Sequence, residues 1–254
     1  APAVAPLLGQ KIMVIYGWRA IFTACMFAGL LAFLWMSIRQ KETLILEKRT
    51  PFLISNIISG YKTIFTNKRV IISTSVQASV LGGLFSYIAS APQIFTQWLN
   101  AEEQFPIYFC CIALISAFSN IINATLVERL GMWVMSTFAI GFNMIFSAII
   151  YLVLYMEIVS DIYLLPIFLI WSVVVFLTMA MSIGNLMALA MEPVGHIAGL
   201  AASIIGSTST LISILLAIPI GMMFDGTGMP LIASITILAI TAFGLNIINP
   251  RSAN

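Results

Sequence analysis

Long stretches without charged residues constrain this chain more than any other feature. Stretches with no Asp, Glu, Lys or Arg include residues 20–38, 70–101, 132–156, 162–191 and 197–224. Each has about the length, or more, of the ~20 apolar residues that cross a ~30 Å hydrocarbon core as a helix. Because lipid offers the backbone no hydrogen bonds, each stretch is expected to be helical.

Composition supports the same interpretation. Hydrophobic residues make up 61% of the 254 residues, charged residues only 8%, and the mean hydropathy is +1.08. A soluble domain has about 25% charged residues. We therefore predict an all-α membrane protein, a polytopic bundle of transmembrane helices. The predicted spans are residues 1–16, 20–38, 70–95, 105–127, 132–156, 162–191, 197–224 and 229–248.

Basic residues are concentrated on one side of this predicted bundle. The connection between the second and third spans contains seven of the eleven: Arg39, Lys41, Lys48, Arg49, Lys62, Lys68 and Arg69. Arg129 and Arg251 fall on the same side, whereas Lys11 and Arg19 fall on the other. By the positive-inside rule, this side and the C-terminus are predicted to be cytoplasmic.

The basic connection also divides the chain. Apolar residues at three-to-four spacing (Ile54, Ile57, Ile58, Tyr61, Ile64 and Phe65) predict an amphipathic helix at the membrane surface. Its simplest role is to tether two bundles, and a lipid-binding or regulatory role is the alternative. We divide the chain into residues 1–38, a linker at 39–69 and a six-helix unit at 70–254. We expect about four more helices upstream of residue 1.

Three stretches carry a family resemblance. They are Ala-Pro-Ala-Val-Ala-Pro-Leu-Leu-Gly-Gln at 1–10, Gly-Trp-Arg-Ala-Ile-Phe at 17–22 with Glu-Thr-Leu at 42–44, and Met-Glu-Pro-Val-Gly-His-Ile-Ala-Gly-Leu-Ala-Ala-Ser at 191–203. Together they resemble the major facilitator superfamily, and the last resembles its bicyclomycin/chloramphenicol-resistance efflux subfamily. The resemblance implies the C-terminal two-thirds of a twelve-helix monomer with two halves around a central cavity. It also implies export of small amphipathic compounds in exchange for protons across a bacterial inner membrane.

Several motif residues are candidates for conformational roles. By resemblance, Pro2, Pro6 and Gly9 form a kink that seals the outer side, although ordinary helix irregularity is the alternative. Gly195, Gly199 and Ser203, after Glu192 and Pro193, have small-xxx-small spacing, which predicts close packing of another helix. That face could be a static contact or a surface on which bundles rock. Arg129 is either a favourable charge at a helix end or, with Glu128, a gating ion pair.

Polar residues within the spans are the candidates for substrate contact, because hydrocarbon tolerates them only facing protein or a cavity. By resemblance, the spans at 70–95 and 162–191 line the central cavity. Their polar and aromatic residues are Ser79, Ser86, Tyr87, Ser90, Gln93, Trp171, Thr178, Ser182 and Asn185. The alternative role for each is an interhelical hydrogen bond.

In the long predicted spans, charged residues occur only at the ends. A proton relay normally needs a titratable group inside the membrane. We therefore expect the coupling carboxylate upstream of residue 1, and we interpret His196 as a polar cap at a boundary. The three cysteines and one histidine do not form a metal pattern, and a net charge of +2 does not indicate nucleic acid. Neither a metal nor an organic cofactor is predicted; the expected partners are the lipid bilayer, a small-molecule substrate and protons.

Three other functions make different demands on the sequence. An importer of sugars, amino acids or organic anions could share the fold, but no basic residue appears in the predicted cavity, where an anion usually needs one. A membrane-embedded enzyme would need a nucleophile with a base, or a metal motif such as H-E-x-x-H, and neither pattern is present. A non-transporting membrane scaffold is not excluded by any motif.

Overall fold

The computed structural model of the protein describes residues 5–40 and 54–249, and this part of the chain is helical almost throughout. We number the α-helices in chain order. They are α1 (Ala5–Tyr16), α2 (Arg19–Arg39), α3 (Ile54–Thr66), α4 (Lys68–Gln93), α5 (Phe105–Leu130), α6 (Met132–Tyr155), α7 (Leu164–Met191), α8 (Ala198–Met222) and α9 (Met229–Ile247).

Six continuous helical stretches within the described residues are long and apolar enough to cross a membrane. One of them, Asp161–Met222, contains both α7 and α8, because the backbone turns through a 3₁₀ segment at Glu192–Ile197 where Val194 leaves helical geometry. The prediction of an all-α membrane bundle is confirmed. Helix α1 has 12 described residues, and the predicted first span extends into residues 1–4, which lie outside the described part.

Local sequence explains where the helices begin and end. Asn67 caps α4, because its side-chain oxygen accepts the backbone N–H groups of Arg69 (3.0 Å) and Val70 (3.4 Å). Gly131 separates α5 from α6 at φ +83°, a backbone conformation that favours glycine. Within α4, Pro92 removes a backbone donor, and the helix widens into a π-helical turn at Ile94–Trp98.

Helix α4 is the centre of the six-helix unit α4–α9. It packs against α7, α8 and α9, while α6 packs against α7 and α9, and α5 packs against α7. Helix α1 contacts α2 and α5. No residue of α2 is buried, and Phe22, Trp35 and Ile38 are each about two-thirds exposed or more. A continuous apolar surface of this kind is typical of a face that meets lipid or other helices.

The two ends of the six-helix unit have different cores. Where α4 and α6 end and α5, α7 and α9 begin, the core is built from rings, with Phe168 in contact with Tyr87 and Trp171. We call this the aromatic end; its larger rings are Tyr87, Phe95, Trp98, Phe105, Phe109, Phe168 and Trp171. At the opposite end, which we call the Arg69 end, aliphatic side chains such as Val70 and Ile205 pack around Ile64.

Helix α3 occupies the place predicted for an amphipathic helix. Ile64 is fully buried, whereas Ile58 and Tyr61 on the other side are exposed. Gly60 allows α3 to approach α8 closely, because a Cβ at Gly60 would lie 2.4 Å from Cδ2 of Leu200. The linker therefore ends in a helix that is docked on the Arg69 end.

A substitution at Gly228, just before α9, would test the packing of the aromatic end. A Cβ there would lie 2.4 Å from Cζ3 and 2.8 Å from Cε3 of the Trp98 indole, a rigid ring held among other rings. We expect Gly228→Ala to destabilise the protein by about 1–3 kcal/mol. The apparent unfolding temperature in detergent should fall by about 2–4 °C per kcal/mol.

Gly244→Ala is the matched control, because Gly244 lies within α9 and no atom comes within 4 Å of its built Cβ. This variant should gain helix propensity and unfold at an equal or higher temperature. Equal unfolding temperatures for the two variants would contradict the described packing of Trp98.

Candidate functional site

The residues predicted to line a cavity lie mostly inside the six-helix unit. Gln93 is exposed, and the other eight are buried at 7% exposure or less: Ser79, Ser86, Tyr87, Ser90, Trp171, Thr178, Ser182 and Asn185. In this structure these eight side chains are therefore enclosed between helices and do not form the wall of an open cavity. Helical periodicity placed them on shared faces of α4 and α7, and those faces meet other helices of the unit.

Several of these side chains hydrogen-bond between helices. The hydroxyl of Tyr87 donates to Oγ of Ser172 (2.9 Å), which joins α4 to α7. Nε1 of Trp171 donates to Oγ of Ser147 (2.9 Å), and Ser147 in turn donates to Oδ1 of Asn143 (3.1 Å) on α6. The structure thus matches the alternative role, in which polar groups within the membrane connect helices.

Further polar connections lie nearer the Arg69 end. Nδ2 of Asn185 donates to Oδ1 of Asn123 on α5 (2.8 Å). Nδ2 of Asn246 on α9 donates to Oγ1 of Thr137 on α6 (2.8 Å). Sequence reasoning did not single out Asn246, although an amide inside an apolar helix was the available signal.

A small cavity lies in the middle of the unit, where α4, α6, α7 and α9 meet. Its volume is about 20 Å³, and its polar lining consists of Ser79, Asn143 and Thr178. A cavity of about 10–15 Å³ or more can hold a water molecule, provided that polar partners are present.

A larger cavity lies between the α1–α2 pair and the start of α5, on the side of the aromatic end. Its volume is about 350 Å³, within the range of small-molecule sites. Most of its wall is apolar, and its polar groups come from Gln10, Thr96 and Glu102. The complete lining is Gly9, Gln10, Met13, Ile21, Pro92, Thr96, Glu102, Phe105 and Pro106.

One of the predicted motif residues of the first span, Gly9, borders this larger cavity. Gly9 lines it, and no other side chain or neighbouring helix approaches within 4 Å of a Cβ built on Gly9. Pro6 lies in the first turn of α1, and Pro2 lies outside the described residues. Sequence reasoning did not single out Glu102.

An ion pair closes the Arg69 end. The guanidinium of Arg69, at the start of α4, contacts the carboxylate of Glu192 between α7 and α8, and the Arg69 side chain is only 14% exposed. The gating pair suggested for Glu128 and Arg129 is not formed, and both side chains are exposed. The two are adjacent on α5, and neighbouring positions on a helix do not face each other.

The small-residue face that follows Pro193 has no partner helix among the described residues. Gly195, Gly199 and Ser203 are exposed, and no described atom outside their own helical backbone lies within 4 Å of a Cβ built on either glycine. The described helices of this chain therefore leave the face uncovered. The hydroxyl of Ser203 is satisfied within α8 by the carbonyl of Gly199 (3.0 Å).

Comparisons with known proteins agree with this architecture. Residues 1–217 match the family model described as Major Facilitator Superfamily. The chain is 25% identical over 246 residues to an uncharacterized MFS-type transporter, YdgK, of Bacillus subtilis (strain 168), covering 94% of this chain and 59% of that protein. It is 26% identical over 132 residues to a bicyclomycin resistance protein homolog of Haemophilus influenzae, covering 52% of this chain and 33% of that protein.

The chain thus spans less than two-thirds of the length of either relative. No solved structure is significantly similar to it.

The contact between Trp171 and Ser147 can be measured by a double-mutant cycle. We expect Trp171→Phe and Ser147→Ala to be coupled by about 0.6 kcal/mol, and by no more than about 1.7 kcal/mol, because the two side chains share one interhelical hydrogen bond. Unfolding of the purified protein in detergent provides the free energies.

Ser209→Ala is the control partner for Trp171→Phe, because the buried hydroxyl of Ser209 bonds only to carbonyl groups of its own helix, α8. That cycle should show no coupling. Equal coupling in both cycles would argue against the bond between α6 and α7.

Proposed function

This chain belongs to the Major Facilitator Superfamily, and from this premise we propose that it works in a secondary active transporter that exports small amphipathic compounds in exchange for protons. Family membership makes it an integral membrane protein of a transporter family, not an enzyme. Drug export is supported by its similarity to a bicyclomycin resistance protein homolog. Because the chain spans only part of each relative, the activity of the whole protein is a proposal.

The larger cavity is the observation that carries the choice of substrate class. Its apolar wall, which includes Met13, Ile21 and Phe105, suits the apolar body of a ligand, and the carboxylate of Glu102 suits a positive charge. Among the residues that the structure describes, no lysine, arginine or histidine lines it. A mostly apolar site with one charged group is typical of small-molecule recognition. We therefore propose that the ligands are amphipathic cations.

The same lining argues against an importer of organic anions. A carboxylate at a site raises the free energy of a bound anion, whereas the usual anion partners are Arg and Lys. Sugars and amino acids would need several converging hydrogen-bonding groups, and this cavity provides only Gln10, Thr96 and Glu102. A membrane scaffold would need no such cavity.

Proton coupling remains part of the proposal. Every acidic residue in the described part of the chain lies in a connection or in the last turn of a helix. A proton relay normally uses a titratable group inside the membrane. We therefore propose that the coupling carboxylate belongs to a part of the protein other than the helix interiors described here.

We also propose an orientation in the membrane and a division of the chain into units. The basic residues between α2 and α4 favour a cytoplasmic location for the Arg69 end and for the C-terminus in a bacterial inner membrane. We propose that residues 1–38 belong to one helical half and residues 70–254 form the other, with residues 39–69 linking them. We also propose a monomer that binds substrate and protons but not nucleic acid.

Glu102→Gln tests the cavity directly. Removing the carboxylate while keeping its shape should weaken binding of a fluorescent cationic dye to the purified protein by about five- to tenfold, because one partly solvated charge contact is lost. Dye fluorescence during titration measures the change. Glu103→Gln is the matched control, since Glu103 is the adjacent carboxylate, is exposed like Glu102 and does not line the cavity. If both variants bind like the parent protein, the cavity is not the cation site.

Transport itself is tested in everted membrane vesicles from cells that express the protein from its natural gene. An acidic vesicle interior should drive dye accumulation, and collapsing the pH gradient should abolish it, because an exchanger draws on that gradient. Vesicles without the protein provide the baseline. Dye accumulation that does not change when the pH gradient is collapsed would exclude proton exchange. Dye accumulation no greater than in vesicles without the protein would favour a membrane scaffold.

A further inference from the structure

One face of α4 carries a line of polar side chains up from the Arg69 end. Arg69, Ser73 and Gln77 are spaced four residues apart, which places them on one side of the helix. Arg69 is paired with Glu192, and Oγ of Ser73 accepts a hydrogen bond from Nδ2 of Asn249 (2.9 Å). Gln77, one turn further in, is only 5% exposed.

Several buried polar atoms on this line, or in the same part of the unit, have no hydrogen-bonding partner within the described part of the protein. The atoms are Nε of Arg69, Oγ1 of Thr74, Oε1 of Gln77, Oγ of Ser182, Oδ1 of Asn246 and Oδ1 of Asn249. Five of the six belong to side chains that are at most 5% exposed. Buried polar groups in proteins are nearly always paired, either with protein or with ordered water.

All six atoms lie in the half of the unit that contains the Arg69 end. They come from the first turns of α4, the later turns of α7 and the end of α9 and its continuation. In the aromatic end, by contrast, none of the fully buried side-chain polar atoms of the described residues is unpaired, and the Tyr87–Ser172 and Trp171–Ser147 bonds join helices there. The unpaired atoms therefore have a common location.

The small central cavity lies at the inner end of this line. Its wall includes Val80, about one turn of α4 beyond Gln77, and its polar lining consists of Ser79, Asn143 and Thr178. Oδ1 of Asn143 already accepts a bond from Ser147, so its amide nitrogen is available as a donor. The cavity therefore combines room for about one water molecule with several polar partners.

The chemistry of the unpaired atoms favours a neutral ligand. Nε of Arg69 is a donor, and the amide oxygens of Gln77, Asn246 and Asn249 are acceptors. A cation would be repelled by the guanidinium, an anion would face the amide oxygens, and the charges of Arg69 and Glu192 already balance. Water both donates and accepts, and therefore suits the whole set.

We propose that ordered water molecules occupy the Arg69 half of the six-helix unit, in a line along α4 from Arg69 to the central cavity, and that the aromatic end stops them there. This inference concerns hydration of the bundle. It does not depend on the substrate or on proton exchange.

Radiolytic hydroxyl-radical footprinting of the unmodified protein tests the proposal. X-rays generate the radicals from water, so buried side chains beside bound water are oxidised. Met179 lines the central cavity and Trp171 lies fully buried in the aromatic end, and both side chains react readily. We expect oxidation at Met179 and protection at Trp171. If Met179 is as protected as Trp171, the proposed water line is wrong.

Two substitutions separate bound water from dry unpaired atoms. Thr74→Val and Gln77→Leu keep the side-chain size but remove the polar atoms. If water occupies the line, each should lower the unfolding temperature by about 2–4 °C, and Gln77→Leu should also reduce oxidation of Met179. If the atoms are dry, the same changes should raise the unfolding temperature, which would overturn the proposal.

Thr236→Val is the matched control for Thr74→Val. The buried hydroxyl of Thr236 on α9 donates to the carbonyl of Ile232 within its own helix (2.7 Å). Its removal should leave oxidation of Met179 unchanged. A loss of Met179 oxidation in Thr236→Val as large as in Gln77→Leu would contradict a line of water along α4.

Discussion

In hydrocarbon, an unpaired backbone N–H or C=O group has no water to bond, so each segment that crosses the membrane must satisfy its own backbone. This constraint sets the lengths of the helices, from the 19 residues of α9 to the 28 residues of α7. The irregular backbone is held by contacts with other helices at both ends of the bundle. Ile94 and Phe95 of the π-helical turn after Pro92 are buried in the aromatic end, and the 3₁₀ turn at Glu192 is tied to Arg69.

Packing within the bundle rests on α4, the helix with the largest buried share among the candidate spans. Water cannot drive helix association inside lipid, so close contact and interhelical hydrogen bonds must do so. The two ends of α4 achieve this differently. At the aromatic end, rings fill the space between helices, and the buried Tyr87 and Trp171 donate hydrogen bonds to neighbouring helices. At the Arg69 end, an ion pair and amide side chains connect α4 to the α7–α8 turn and to the end of α9.

This difference between the ends bears on how such a bundle can move. A core of interlocked rings resists displacement, because packed interiors change between discrete arrangements. Polar contacts that include water can exchange partners at little cost. The larger cavity beside α1 and α5 lies on the side of the rigid end, where a fixed wall helps to define a binding site. The proposed substrate site would then be shaped by the part of the unit that moves least.

The sequence by itself determined the membrane location, the helical class and the approximate helix bounds, because hydrophobic length and backbone chemistry in lipid are local properties. It also located the amphipathic helix of the linker, and its resemblance identified the family. Tertiary structure decided which polar faces meet. Ser86 and Trp171 face the interior of the bundle, whereas the described helices leave Gly199 uncovered. Glu192 pairs with Arg69, and Glu128 and Arg129 do not pair with each other. Periodicity shows that residues share a helix face, but only the arrangement of helices determines whether that face meets protein, cavity or lipid.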